Sequence, residues 1–386
     1  MRQLHILFLC DEYPTLRPAH GGVGSMTRTL GRALVQRGHR VTVLAQARKG
    51  QMLDDAGVRV IALAQSGLRG PGALLDAYRL RAAAATICAR DRVDAIDTPE
   101  MGLAFFGGAG WPSRIIRMHG GHHFFSDEAG QPTRPARALW ERRSFGHADD
   151  LVAVSRYVAE RTRELLKLGE LPIVPLPNSV DTERFAPNPT IDAVPGRIVF
   201  VGTIVEKKGI GELIRAMPAI VARHPQAYLI AAGRDRLDPY TKTIFRETIE
   251  RTMPPHIRER VRFSGPIAND QLPELLATAA VCVYPSHSES LGIVYIEGMA
   301  MGRPVVISRA GPGPEVVCDG ENGLLCEPRS PESIADTVLQ ILSDQTLATR
   351  LGATARRRAV EHFSINVLAP RNEEFYRASI ERVRRG

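Results

Sequence analysis

Short, nearly continuous apolar runs recur along this chain, and each gives way to a glycine-rich or polar turn. Leu4–Cys10, Val41–Ala45, Val58–Leu63, Leu151–Ser155, Arg197–Gly202, Tyr228–Gly233, Val281–Val283 and Val305–Ser308 are all of this kind. Runs this short, without polar alternation, predict strands buried on both faces of a parallel sheet. Between them the apolar period lengthens. Met26, Leu30, Ala33 and Leu34 fall on one helical face, and Arg37-Gly38-His39 ends the helix at about Gln36. Further helices are predicted over Arg79–Ala89, Arg156–Lys167 and Ile210–Arg223, and one starts at Ser330-Pro331-Glu332 with proline in its first position. Strand alternating with helix predicts a doubly wound α/β fold.

The alternation stops once. Ala186–Pro195 holds three prolines and few apolar residues, and a second series of strands begins at Arg197. The chain's 386 residues suit two domains. The expected division is an N-terminal domain over 1–186, a linker over 187–196 and a C-terminal domain over 197–364. A last amphipathic helix over 365–386 follows, in which Pro370 predicts a kink.

Composition narrows the class. The chain is 44% hydrophobic and 24% charged, an ordinary globular balance. The Leu4–Cys10 run is too short for a leader and ends at Asp11-Glu12, and no stretch nears the roughly 18–20 apolar residues of a membrane span. Cys10, Cys88, Cys282, Cys318 and Cys326 are odd in number and lack CxxC spacing, so reduced packing residues in a cytoplasmic protein are expected. The net charge of +8 is uneven: residues 1–190 hold 25 Lys and Arg against 19 Asp and Glu, the rest 25 against 23. No basic-aromatic interleaving marks a nucleic-acid surface. An anionic membrane or a phosphorylated acceptor is the better partner for the basic half, and solvated helix faces are the plain alternative.

Candidate chemistry in the N-terminal half lies where strands end. The Gly21-Gly22-Val23-Gly24 loop allows close approach of a phosphate to a helix start, although a simple tight turn reads the same way. It is not a dinucleotide fingerprint. His119 follows the strand over Arg114–Met118, at the usual ligand edge of such a sheet. His122 and His123 stand nearby, but adjacent side chains diverge and no carboxylate cluster completes a metal site. Arg134, Arg137, Trp140, Arg142 and Arg143 make a basic stretch, either a membrane-docking face or a solvated helix.

In the C-terminal half, Lys207 and Lys208 sit in a strand-to-helix turn and supply charge suited to a diphosphate. The richest stretch is Tyr284–Glu297. It predicts strand, loop and helix start, with Glu289 at the start of the helix and Ser288 or Ser290 as its cap. Amides at such an end, here those of Ser290, Leu291 and Gly292, bind anions. Carboxylates beside a phosphate site suit sugar or ribose hydroxyls. Eight helical residues span roughly 12 Å, too far for a roughly 5–9.5 Å glycosidase pair.

Glu289-x7-Glu297, followed by Gly298-Met299-Ala300-Met301-Gly302-Arg303-Pro304, resembles the donor-binding signature of glycosyltransferase family 4. Pro177-Asn178-Ser179-Val180-Asp181 and Gly311-Pro312-Gly313-Pro314-Glu315 are similar to two further family segments, with Ser179 in place of the common glycine. The resemblance implies a GT-B fold of two Rossmann-like domains facing across a cleft, with the last helix packed on the first domain. It also implies a retaining transfer of a hexosyl group from a nucleotide-diphosphate sugar, a UDP-sugar ahead of a GDP-sugar, without metal or other cofactor. The acceptor would be a glycan, a lipid-linked sugar or a small molecule in envelope or exopolysaccharide synthesis. The enzyme would be cytoplasmic, with possible peripheral membrane contact and no nucleic-acid partner.

By the same resemblance, Lys208 and the amides of Ser290, Leu291 and Gly292 would stabilise the diphosphate. Glu297 would hold the ribose, Glu289 the transferred sugar, and the region at Ile267 the base. His119 would lie near the sugar, and Gly21, Gly22 and Gly24 would face donor phosphate. The family pattern carries an arginine where this chain has Thr203, so Lys207 or Arg234 would have to replace that cation. Two alternatives stay open: a nucleotide-sugar 2-epimerase of GT-B fold, and a non-catalytic two-domain sugar-binding protein.

Overall fold

A computed structural model describes residues 2–16, 21–68, 72–237 and 243–385. The chain divides into two units: residues 1–179 with 365–386, and residues 180–364.

The first unit is built on an eight-stranded sheet: β1 (His5–Leu9), β2 (Arg40–Ala47), β3 (Gln51–Asp55), β4 (Val58–Ala64), β5 (Ala95–Thr98), β6 (Ser113–Met118), β7 (Asp150–Ala153) and β8 (Ile173–Pro175). Their order is β3-β4-β2-β1-β5-β6-β7-β8. All neighbours pair in parallel except β3 with β4. The central strands are the continuous apolar runs, and Ile6, Leu7 and Phe8 are buried on both faces of β1. The two edge strands β3 and β8 escape the apolar-run rule. Gln51–Asp55 is largely exposed and polar, and it pairs with β4 as a hairpin through Ala56 and Gly57, both at positive φ. Helix Gly22–Gln36 buries Met26, Leu30, Ala33 and Leu34, the stripe read from the sequence. The helix expected from Arg79 begins earlier and runs over Gly72–Asp91.

Helix Ile365–Arg385 belongs to this first unit, and its attachment is polar as well as apolar. Arg117 on β6 is fully buried and donates to Asp97 Oδ2 on β5 at 2.8 Å and to Asn372 Oδ1 at 2.8 Å. Tyr376 Oη donates to the same Asp97 oxygen at 2.7 Å. Tyr376 and Ile380 join the apolar core formed by Ile6, Leu30 and Leu34. Pro370 stands in the helix, which continues through it.

The second unit carries β9 (Arg197–Val201), β10 (Tyr228–Ala232), β11 (Val261–Gly265), β12 (Val281–Tyr284), β13 (Val305–Ser308) and β14 (Leu324–Cys326). The order is β11-β10-β9-β12-β13-β14, parallel throughout. Helix Ile210–Arg223 follows β9 with the bounds read from the sequence, and helix Pro331–Ser343 takes its cap from Ser330, whose Oγ accepts from Ser333 N–H. The division between units falls at Ser179/Val180, ahead of the segment expected as linker. That segment packs on the second unit: Val194 N–H donates to Thr278 O at 2.9 Å, and Arg303 donates to Ile191 O at 3.3 Å. The five cysteines are free. No described helix is long and apolar enough to cross a membrane.

Candidate active site

In the second unit the site is formed by loops that leave the C-terminal ends of β9, β10 and β12. The order β10-β9-β12 makes these loops neighbours. After β9 the chain turns through Gly202-Thr203 and a short 3-10 turn, Glu206–Lys208, into Gly209. Gly209 has φ +70°, and a Cβ there would lie 1.8 Å from Pro285 O in the loop after β12. Only glycine permits this contact. His287 N–H then donates to Lys207 O at 2.8 Å, which locks the two loops in register. The result places Lys208 against Glu289: Nζ donates to Oε1, and Ser286 Oγ donates to the same oxygen at 3.2 Å. Lys208 and Glu289, 81 residues apart, form an ion pair with both side chains largely shielded.

The helix after this loop starts later than the sequence suggested. It covers Ile293–Ala300, its cap is Gly292 at φ +83°, ψ +68°, and no side chain caps it. Neither Ser288 nor Ser290 plays that part. The physical reason is local: Glu289 turns back to Lys208 and Ser286, and the left-handed Gly292 is where the chain next enters a helix. The amides of Ser290, Leu291 and Gly292 therefore precede the helix. Leu291, Tyr295 and Met299 are buried.

Glu297 lies in the second turn, buried, and its carboxyl is pushed up to about 8 by burial, with Arg184 acting in the opposite direction. A buried carboxyl at that value is protonated at neutral pH, which suits a group that meets hydroxyls rather than a structural ion pair. The Ser288 Oγ is buried without a hydrogen-bond partner. Such orphaned groups are uncommon in protein interiors.

Gly233 after β10 supports the neighbouring loop: a Cβ there would lie 1.7 Å from Gly202 O. Ile204 N–H donates to Arg234 O at 3.0 Å. Thr203 and the exposed Arg234 are thus on paired segments, with exposed Lys207 further along the first. Ile267 lies two residues past the end of β11 and is half-buried. Arg184 donates to Asn269 O and, at 2.9 Å, to Asn269 Oδ1, which ties the start of this unit to the segment after Ile267.

The first unit has its own cluster at the C-terminal ends of β5 and β6. His119 directly follows β6 and is buried, and its Nε2 has no partner. Burial, reinforced by Arg117, pushes the imidazole down to about 3, so it is neutral at working pH. Its backbone N–H donates to Glu100 Oε1 at 2.6 Å. Helix His122–Glu128 opens three residues later, and its first two amides go to one side chain: His122 N–H donates to Glu141 Oε1 at 2.7 Å, His123 N–H to Oε2 at 2.8 Å. Glu141 also meets His123 Nδ1, and His122 Nε2 accepts from Arg134 N–H at 2.8 Å. The neighbouring histidines are therefore engaged within the protein. Glu141 gave no sign in the sequence, because it sits in the basic helix Pro135–Phe145 and looks like one more surface charge.

Gly21 is the cap of helix Gly22–Gln36, with no side-chain cap. A Cβ on Gly24 would lie 1.9 Å from Glu12 O, and one on Gly21 would lie 2.4 Å from Glu12 Oε2. These two glycines let the helix start pack against the chain leaving β1. Gly22 is exposed.

Two doubly wound parallel sheets, each with glycine loops and titratable side chains at its strand ends, are the plan of a GT-B glycosyltransferase. The comparisons with known proteins bear this out. A model described as "Glycosyltransferase Family 4" matches residues 20–184, and one described as "Glycosyl transferases group 1" matches 181–358. The chain belongs to glycosyltransferase family 4. It is 28% identical to the glycogen synthase of Mycobacterium tuberculosis, over 97% of this chain and 95% of the relative. It is 29% identical to that organism's GDP-mannose-dependent alpha-(1-6)-phosphatidylinositol monomannoside mannosyltransferase, over 96% and 98%. The fold matches that of sucrose-phosphate synthase from Thermosynechococcus elongatus with a TM-score of 0.83 at 23% identity, over 97% of this chain and 99% of that one.

Proposed function

We propose that this glycosyltransferase moves a hexosyl group from a nucleotide-diphosphate sugar with retention of configuration. The observation that carries the reading is the Lys208–Glu289 pair, held between two strand-end loops by the Gly209–Pro285 contact. It puts a cation for phosphate beside a carboxylate for hydroxyls. Lys208 and the amides of Ser290, Leu291 and Gly292 stabilise the departing diphosphate. Glu289 holds the transferred sugar, Glu297 the ribose, and the backbone near Ile267 the base. Arg234, on the segment paired with Thr203, or Lys207 supplies the cation missing at Thr203. His119 offers Nε2 to a sugar hydroxyl as a neutral group, and Gly21, Gly22 and Gly24 leave room for donor phosphate at a helix start. No enzymic nucleophile is required, because the leaving phosphate takes the acceptor proton, and no metal or other cofactor takes part.

A UDP-sugar is placed ahead of a GDP-sugar. The acceptor is a glycan, a lipid-linked sugar or a small molecule used in envelope or exopolysaccharide synthesis, and the enzyme works in the cytoplasm. Contact with an anionic membrane is supported by the first unit's surface. There the rings of Tyr78, Phe105 and Trp140 meet in sequence, tilted at 5.1 Å and edge-on at 5.2 Å, and exposed Leu74, Leu75 and Leu139 lie on the same two helices as Tyr78 and Trp140. Arg137, Arg142 and Arg143 share the second of these helices.

The test is a thermal-shift screen of the full chain against UDP-, GDP-, ADP- and CMP-sugars, followed by a transfer assay in anionic and in neutral vesicles. One donor should raise the melting temperature and be consumed with retention. A shift with none of them overturns the donor reading, and equal binding to both vesicle types removes the membrane contact.

A further inference from the structure

We propose that Glu141, together with Glu100, positions His119 for glycosyl transfer by gripping the main chain of the loop that carries it. This rests on the reading of His119 as a contact of the transferred sugar.

Three observations converge. First, the amides of His119, His122 and His123 all donate to these two carboxylates, at 2.6, 2.7 and 2.8 Å. The two bonds to Glu141 are of the charge-assisted kind, about twice as strong as neutral ones. Second, both acids close on one residue. A Cβ at Gly121 would lie 1.7 Å from Glu141 Oε1 and 2.9 Å from Glu100 Cγ, so the loop fits between them only as glycine. Third, His119 Nε2 has no protein partner. With that atom unanchored, the placement of the imidazole depends on where its own backbone is held.

The arrangement is costly for a role in folding alone. Both glutamates are almost completely buried, and burying an acid costs free energy before its bonds are counted, whether it is ionised or protonated. A serine or aspartate at the helix start would satisfy the same amides locally. Glu141 instead reaches the loop from a separate helix and also takes His123 Nδ1, and Glu100 reaches it from the segment after β5. Glu100 is pushed up to about 8 by burial and by Glu141 beside it, so at neutral pH it is protonated and the close pair is not doubly charged. The two acids grip the loop from opposite ends, so it cannot pivot about either one.

The prediction is that Glu141 acts through His119. The experiment compares His119→Ala, Glu141→Gln and the double variant, using whichever of UDP-glucose or GDP-mannose the enzyme turns over. Diphosphate release is followed at saturation, and donor dissociation constants are measured separately. His119→Ala should lower kcat. Glu141→Gln should lower kcat by about 10- to 100-fold, the loss expected from a displaced group, with donor affinity within about threefold. The double variant should be no slower than His119→Ala alone, since two residues acting as a unit are not additive. Gly121→Ala should reproduce the loss without changing charge, and it takes the place of Glu141→Gln in the cycle if that variant does not fold.

Multiplicative losses in the double variant, or wild-type kcat in Glu141→Gln, overturn the positioning role while leaving His119 in place. An unchanged kcat in His119→Ala overturns the reading of His119 itself, and the proposal with it.

Discussion

Among the described residues, the first unit buries eight Asp, Glu or Arg side chains and the second buries two, although both are parallel sheets flanked by helices. In the first unit almost every buried charge has a visible structural partner. Asp97 and Arg117 bind the last helix, Asp150 accepts from Ser379 and Arg382, Glu373 takes Arg37 and Arg377, and Glu100 and Glu141 hold loop amides. In the second unit the two are Glu212, which is paired with Arg215 and faces His287, and Glu297, which faces Arg184 only at longer range. One lies against the loop after β12 and the other in the helix that follows it. A charge is expensive to bury, so its placement is informative in both units and means different things. In the first it is framework. In the second, where apolar packing and close glycine contacts make the framework, Glu297 alone is a buried carboxyl without a close cation, and it lies in the proposed site.

The largest effect that could break this comparison is on stability. Arg117→Met leaves Asp97 buried with the Tyr376 hydroxyl alone, and removing one member of a buried pair costs about 3–5 kcal/mol. Denaturant unfolding should show that loss, and Asp97→Leu in the same chain should recover much of it. A loss under about 1 kcal/mol would mean the buried charges of the first unit are not its framework.

A smaller effect sharpens the other side. Lys208→Ala removes the cation from Glu289 and should weaken nucleoside-diphosphate binding about 10- to 100-fold, the size expected for a charge-assisted contact of about 1.5–3 kcal/mol, with little change in melting temperature. Calorimetric titration checks it. A melting point that falls while affinity holds would make the pair structural, like those of the first unit.

Legibility in the sequence follows the same line. The strands inside both sheets were readable because parallel strands buried on two faces leave unbroken apolar runs. The edge strand Gln51–Asp55 was not, since one side of it meets water and its residues are polar. In the second unit, Lys208, Glu289 and Glu297 stood out because they are side chains on short loops or the first turns of a helix, close to the glycines that shape them. The start of the following helix was misplaced by about one turn, because the serines near Glu289 looked like caps while the positive φ of Gly292 could not be seen. On the His119 side the hydrogen bonds run through backbone amides. Their acceptors, Glu100 and Glu141, lie 19 and 18 residues from His119 and His123, and no local pattern ties them to it.

The central claim is that the stretch from Glu289 to Glu297 is a donor cradle with the sugar at one end and the nucleoside at the other. Its most direct test is calorimetric titration of the wild type, Glu289→Ala and Glu297→Ala with a nucleoside diphosphate and with the matching sugar nucleotide. Glu297→Ala should weaken both ligands by about tenfold or more, as expected for the loss of hydroxyl contacts to a carboxyl. Glu289→Ala should leave the diphosphate within about threefold of wild type and abolish the extra affinity of the sugar nucleotide. The reverse pattern, in which Glu289→Ala loses the diphosphate and Glu297→Ala loses only the sugar's contribution, would contradict the account.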